Sequence, residues 1–150
     1  MSLGASGASG ASAKLKTVSV VAAIICDPAT QRIYCAQRGY GDYKDGWEFP
    51  DGKVEPGESK PQALVREIQE ELDCQVCQLE PLLTVEHDYP GFHLSMACFT
   101  CRLADGQEPT TLEHENSAWL SRDELWRVDW LAADRQVVSA LEASWDRLFV

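Results

Sequence analysis

The chain has 150 residues, 45% of them hydrophobic, and 24 Asp and Glu face 13 Lys and Arg for a formal net charge of −11. That length is one ordinary domain with enough apolar content for a core. A charge of this sign excludes a Lys/Arg-patterned nucleic-acid surface, while phosphate substrates remain accessible if cations stand between them and the acids.

The chain opens on "MSLGASGASGASAKLKT", a Gly/Ala/Ser repeat whose apolar runs are too short for an export signal or a membrane span. Residues 1–14 are expected to be a flexible leader of expression-tag character, and residues 15–150 one domain. "TVSVVAAIICD" (17–27) and "RIYCAQR" (32–38) read as two strands of a hairpin turned at Asp27-Pro28. After a polar loop, "GWEFPDGKVEPGE" is a short apolar segment running into a Gly/Pro-punctuated loop. Ser59 then offers an N-cap, Gln62 its capping-box partner and Pro61 a first-turn proline, so a helix is predicted to begin there. Leu64, Val65, Ile68 and Leu72 recur at helical spacing and are expected to face the core.

Two further strands, "CQLEPLLTVEHDY" and "FHLSMACFTCRL", flank a Pro90-Gly91 turn. "SAWLSRDEL" reads as a strand end entering a short helix. The C-terminal segment places Val137, Val138, Leu141, Trp145, Leu148 and Phe149 at intervals of three and four, which predicts one amphipathic helix packed on the sheet. The six cysteines include C-x2-C pairs at Cys74/Cys77 and Cys98/Cys101, near zinc-site spacing. Both pairs fall in strand-like runs where residues three apart point to opposite faces, so free, buried thiols in a reducing cytoplasm are expected instead of a zinc knuckle. His87, His93 and His114 show no ligand spacing.

Glu67, Glu70 and Glu71 are related by i, i+3 and i+4 and share one helix surface. Such a cluster is either a solvated acidic face or a place where a hard divalent cation turns repulsion into coordination, since Mg2+ takes carboxylate oxygens and keeps several waters.

The spacing around these glutamates is Gly52, five residues, Glu58, seven residues, then Arg66-Glu67-Ile68-Gln69-Glu70-Glu71. It resembles the signature of the Nudix hydrolase family, G-x5-E-x7-R-E-U-x-E-E-x-G-U with U apolar. "AQR" at 36–38, "WEFP" at 47–50 and "DWLAAD" at 129–134 look like the MutT-like members, so the resemblance runs through nearly the whole chain after the leader. It implies an α+β fold, an α/β/α sandwich with a mixed sheet between helices and the signature as loop, helix and loop.

The resemblance further implies Mg2+, with Mn2+ as a substitute, bound by Glu67, Glu70 and Glu71, of which Glu67 and Glu71 are foremost. Arg66 and Glu58 would hold the loop to the helix, and a further ligand would come from Glu113, or else Glu115, before Trp119. A backbone carbonyl at Asp51-Gly52 would complete the metal set. The implied reaction is hydrolysis of a (deoxy)nucleoside triphosphate to monophosphate and pyrophosphate, with Glu67 or Glu113 as base. Arg38 and Lys53 are candidate phosphate contacts.

Asp134 stands where MutT-like proteins carry a base-binding Asn or Asp; an N-cap role is the alternative. Tyr40, Tyr43, Phe92 and Trp130 are candidates to stack on the base. Two positions depart from the family pattern. Asp73 replaces a signature glycine at a helix end, where Asp tolerates a left-handed conformation. Asp51 replaces the first glycine of F-P-G-G-K; it would be strained if its φ were positive, and it adds a carboxylate beside the site. The alternative reading is therefore a nucleotide-binding module weakened in catalysis by Asp51. Expected partners are the nucleotide alone, with no nucleic acid and no membrane, in a monomer or homodimer.

Overall fold

The computed structural model describes residues 15–110 and 114–150; the leader 1–14 and Glu113 lie outside them. In chain order the elements are β1 (Lys16–Asp27), β2 (Arg32–Arg38), β3 (Trp47–Glu48), β4 (Asp51–Lys53), α1 (Lys60–Leu72), β5 (Val76–Tyr89), β6 (Phe92–Leu103) and β7 (His114–Leu120). A 3-10 turn (Arg122–Arg127), α2 (Ala132–Ala143) and a second 3-10 turn (Trp145–Arg147) complete the chain.

β1 is the hub of the mixed sheet. It runs parallel to β6 from Lys16↔Phe92 to Ile25↔Cys101, antiparallel to β4 at Val20↔Lys53, Val21↔Gly52 and Ala22↔Asp51, and turns into β2 at Cys26↔Ile33. β5 and β6 form the expected hairpin at Pro90-Gly91, while β3 and β7 flank β2. The unbroken apolar run of β1 follows from burial on both faces. Val20, Ala22, Ile24 and Cys26 join Val137, Val138 and Leu141 of α2, and Val21, Ala23 and Ile25 join Leu64, Ile68 and Leu72 of α1. The result is the α/β/α sandwich, with α1 and α2 on opposite faces.

α1 starts as its sequence dictates. The Ser59 hydroxyl accepts from the Gln62 N–H (3.2 Å), and the Gln62 side chain accepts from the Ser59 N–H (2.9 Å). It ends on Asp73 in the left-handed region, φ 49° and ψ 45°. Val65 departs from its expectation: it is 40% exposed, because the buried stripe of α1 runs through Ala63, Leu64, Ile68 and Leu72 and Val65 lies beyond its edge.

The C-terminal amphipathic pattern is likewise not one helix. α2 ends at Ala143, where the Ser144 hydroxyl donates to the Ala140 carbonyl (2.8 Å), and a 3-10 turn resets the phase. Trp145 and Phe149 still meet edge to face at 5.1 Å. All six cysteines are free; Cys77 is half-buried and the others are buried. No helix is long and apolar enough to cross a membrane among the described residues.

Candidate active site

Arg66 ties the loop after β4 to α1. Its Nε–H and Nη2–H donate to the two carboxylate oxygens of Glu58 at 2.6 and 2.9 Å, a bidentate pair of the strong, orienting kind. A further Nη2–H donates to the Lys53 carbonyl at 3.0 Å, and Nη1 reaches Glu67 at 3.0 Å and Glu70 at 3.1 Å. The Arg66 hydrogen bond and a backbone N–H from Glu55 hold the Glu58 carboxyl down at about 2.

The three helix glutamates do not face the same way. Glu67 lies against β4, where a Cβ added to Gly52 would overlap its carboxyl group; only glycine leaves that space to the carboxylate. Glu71, one turn on, acts electrostatically on Asp51. Glu70 lies on the outer side, its side chain 60% exposed. Burial raises the Glu67 pKa, partly offset by Arg66.

Asp51 is not strained. Among the described residues, the non-glycine positions with positive φ are Gln31, Tyr43, Asp45, Asp73 and Gln78, and Asp51 instead sits in β4 paired with Ala22. The strain expectation is therefore corrected, and what Asp51 contributes is a carboxyl group beside the other acids. Desolvation pushes its carboxyl well above the usual range, helped by Glu48, Glu71 and Asp134 and opposed by Arg38.

Asp51 also belongs to a cavity of about 280 Å³, which Arg38, Tyr43, Glu48, Tyr89, Phe92 and Asp134 help to line. Asp134 is 3% exposed and accepts from the Phe49 N–H at 3.0 Å. It is no N-cap: Leu131 occupies that position without a side-chain cap, and the Tyr89 hydroxyl accepts from the Ala133 N–H at 3.1 Å. Burial lifts the Asp134 pKa to about 8, against the Phe49 hydrogen bond.

Sequence reasoning gave no role to Glu48 or Tyr89. Glu48 is 5% exposed and grips Arg38, whose Nη2–H donates to Glu48 Oε1 at 2.7 Å and Nε–H to Oε2 at 3.4 Å. The signal was a lone acid in the apolar "WEFP" run, since a buried charge calls for a partner. Arg38 thus lines the cavity already bonded to a carboxylate, and Lys53 is exposed and outside it. Trp130 is core, stacked on Phe49 at 4.8 Å, and Tyr40 lies outside the cavity. Asp88 and Glu86 bind the two ring nitrogens of His93 and raise its pKa.

Among the described residues no three carboxylates, imidazoles or thiols form a ready metal-binding group. The donor chemistry still fits a hard divalent cation, because Glu67, Glu71 and Asp51 offer oxygen and Gly52 leaves the first of them its space. Larger concavities of about 710 and 640 Å³ lie around Cys26 and Arg102, away from these acids.

A family model described as the NUDIX domain matches residues 16–141. The 8-oxo-dGTP diphosphatase of Proteus vulgaris is 41% identical over 85 residues, which is 56% of this chain and 75% of that protein. The CTP pyrophosphohydrolase of Escherichia coli K12 is 34% identical over 132 residues, covering 86% and 94%. The solution structure of the E. coli ORF135 protein aligns with a TM-score of 0.72 at 32% identity, over 92% of this chain and 95% of that one.

Proposed function

The chain belongs to the Nudix hydrolase family, and from that premise we propose that it hydrolyses (deoxy)nucleoside triphosphates to monophosphate and pyrophosphate with Mg2+, for which Mn2+ substitutes. One observation carries this reading. Asp51 is at once close to Glu71 of α1 and part of the lining of the cavity that Asp134 also lines, so a triphosphate can lie along the acids while its base enters the cavity.

Cations held at this face would neutralise the phosphate oxygens and acidify the attacking water. Glu67 and Glu71 would hold them, with a backbone carbonyl at Asp51-Gly52 and Glu113 or Glu115 as further ligands; Glu113 lies outside the described residues, as does the Glu115 side chain. Arg66 holds Glu67 in place against Gly52. Glu67 or Glu113 takes the proton of water as its oxygen bonds to the β-phosphorus and the α–β anhydride bond breaks. Lys53, at the end of β4, and Arg38, at the cavity, answer phosphate charge, while Asp134 reads the base.

The names of the relatives divide between an oxidised guanine and a cytosine nucleotide. Asp134 suits either, since its neutral form donates one hydrogen bond and accepts others. The same reading keeps residues 15–150 as one catalytic domain, a monomer or homodimer of the cytoplasm acting without nucleic acid.

The test is a panel containing CTP, dCTP and 8-oxo-dGTP with Mg2+ in 18O-labelled water. Monophosphate and labelled pyrophosphate are expected; release of inorganic phosphate, or no release from any nucleotide, refutes the proposal. A binding module is the second reading, favoured by the crowding of Asp51 with Glu48, Glu71 and Asp134. It predicts nucleotide binding without turnover.

A further inference from the structure

Four aromatic side chains were candidates to stack on a base, and the fold separates them. Trp130 is core and Tyr40 stands outside the cavity, whereas Tyr43 and Phe92 line it. Phe92 is stacked on Tyr89 at 5.4 Å, and Tyr89 is anchored through its hydroxyl to Ala133. Tyr43 differs from both in being 45% exposed and in meeting Tyr89 at 5.3 Å with the rings tilted by 53°.

The backbone under Tyr43 is unusual. Its φ is 66°, and that of Asp45, two residues on, is 74°, a region that costs a non-glycine residue free energy and persists where surroundings enforce it. Here the base of the loop enforces it. Arg38 N–H donates to the Gly46 carbonyl (2.9 Å), Asp45 N–H to the Arg38 carbonyl (2.7 Å) and Gly46 N–H to the Tyr43 carbonyl (3.1 Å). The Gln37 side chain donates to the Asp45 carbonyl (2.9 Å) and Arg38 Nη1 to that of Asp42 (3.3 Å). These bonds tie the foot of the loop, which carries the exposed Tyr43 ring to the cavity. The volume of about 280 Å³ falls just below the ~300–1,000 Å³ of small-molecule pockets, room for a base but not for a whole triphosphate.

We propose that Tyr43 is the stacking face that closes the cavity over the base of the nucleotide, held there by the strained β2–β3 loop. This inference rests on the nucleotide reading. Stacking uses the ring and not the hydroxyl, so it is tolerant of base identity and selects for a planar heteroaromatic group as such.

The test measures binding of cytidine and guanosine monophosphates by calorimetry, and hydrolysis of base-free inorganic tripolyphosphate beside that of CTP. Tyr43→Ala is expected to raise the monophosphate Kd and the CTP KM by about tenfold or more, with kcat and tripolyphosphate turnover little changed, and Tyr43→Phe to restore the affinity. Tyr40→Ala, on the same loop but outside the cavity, should bind as wild type does. Unchanged Kd in Tyr43→Ala, failure of Tyr43→Phe to rescue, or an equal loss in Tyr40→Ala overturns the assignment, as does a parallel fall in tripolyphosphate turnover. A wild-type protein that binds neither monophosphate sinks the nucleotide reading itself, and Tyr43 with it.

Discussion

Asp134→Asn tests whether the cavity holds a carboxyl that is neutral at physiological pH. Burial and the nearby Glu48 raise its pKa from 3.8 to about 8 in the folded chain, while the unfolded chain keeps the ordinary value. A raised folded-state value means that folding binds a proton, so the stability tied to this group is whole below pH 3.8 and is lost as pH rises toward 8. Each unit of pKa difference corresponds to about 1.4 kcal/mol, and burial at 3% exposure leaves little solvent to screen it. Between pH 5 and 7 the wild type should therefore lose about 3 kcal/mol through this one residue. Asn keeps an oxygen to accept from the Phe49 N–H and cannot ionise. Urea melts of both proteins at pH 5, 6, 7 and 8 give the difference in unfolding free energy, in which other titrating groups largely cancel. That difference should move in favour of Asp134→Asn by about 1.4 kcal/mol per pH unit and flatten above pH 8. A difference independent of pH would show that Asp134 is ionised in the folded state, and the argument from burial would fail.

Glu71→Gln should keep the circular dichroism spectrum and lose most turnover at saturating Mg2+, because it removes one charge from the metal face without changing shape; near wild-type rates would overturn the assignment of that face. Gly52→Ala places a methyl where the Glu67 carboxyl lies, and is expected to cost about 1–3 kcal/mol of stability and to raise the Mg2+ concentration for half-activity, both read from melts and metal titrations. Asp51→Gly removes a half-buried carboxyl group that Glu48, Glu71 and Asp134 crowd and is expected to raise kcat/KM about tenfold, or roughly 1.4 kcal/mol of transition-state stabilisation; a fall in rate with weaker Mg2+ activation would instead make the Asp51 side chain a ligand.

The boundaries of α1 were legible in the sequence because they are decided locally. Ser59, Pro61 and Gln62 lie within one turn, and Asp73 needs only a helix end to enter the left-handed region. The two hairpins were legible for the same reason, each closing on a turn of a few residues, and the register of Gly52, Glu58 and the Arg66–Glu71 run fixed the family before any contact was known. Periodicity also put Glu67, Glu70 and Glu71 on one surface. It does not say what stands opposite that surface.

That was decided by β4, which pairs with β1 and sets Gly52 against Glu67 while Glu70 is left toward solvent. Val65 falls beyond the buried stripe of Ala63, Leu64, Ile68 and Leu72, and the C-terminal helix is divided at Ser144, whose hydroxyl donates to the Ala140 carbonyl. The cavity is wholly a product of long-range packing. Phe49 and Asp134 meet across 85 residues of sequence and Ala133 and Tyr89 across 44. No local pattern records such pairings, because burial, and with it the proton held by Asp134 and the partner required by Glu48, exists only once α2 has closed on the sheet.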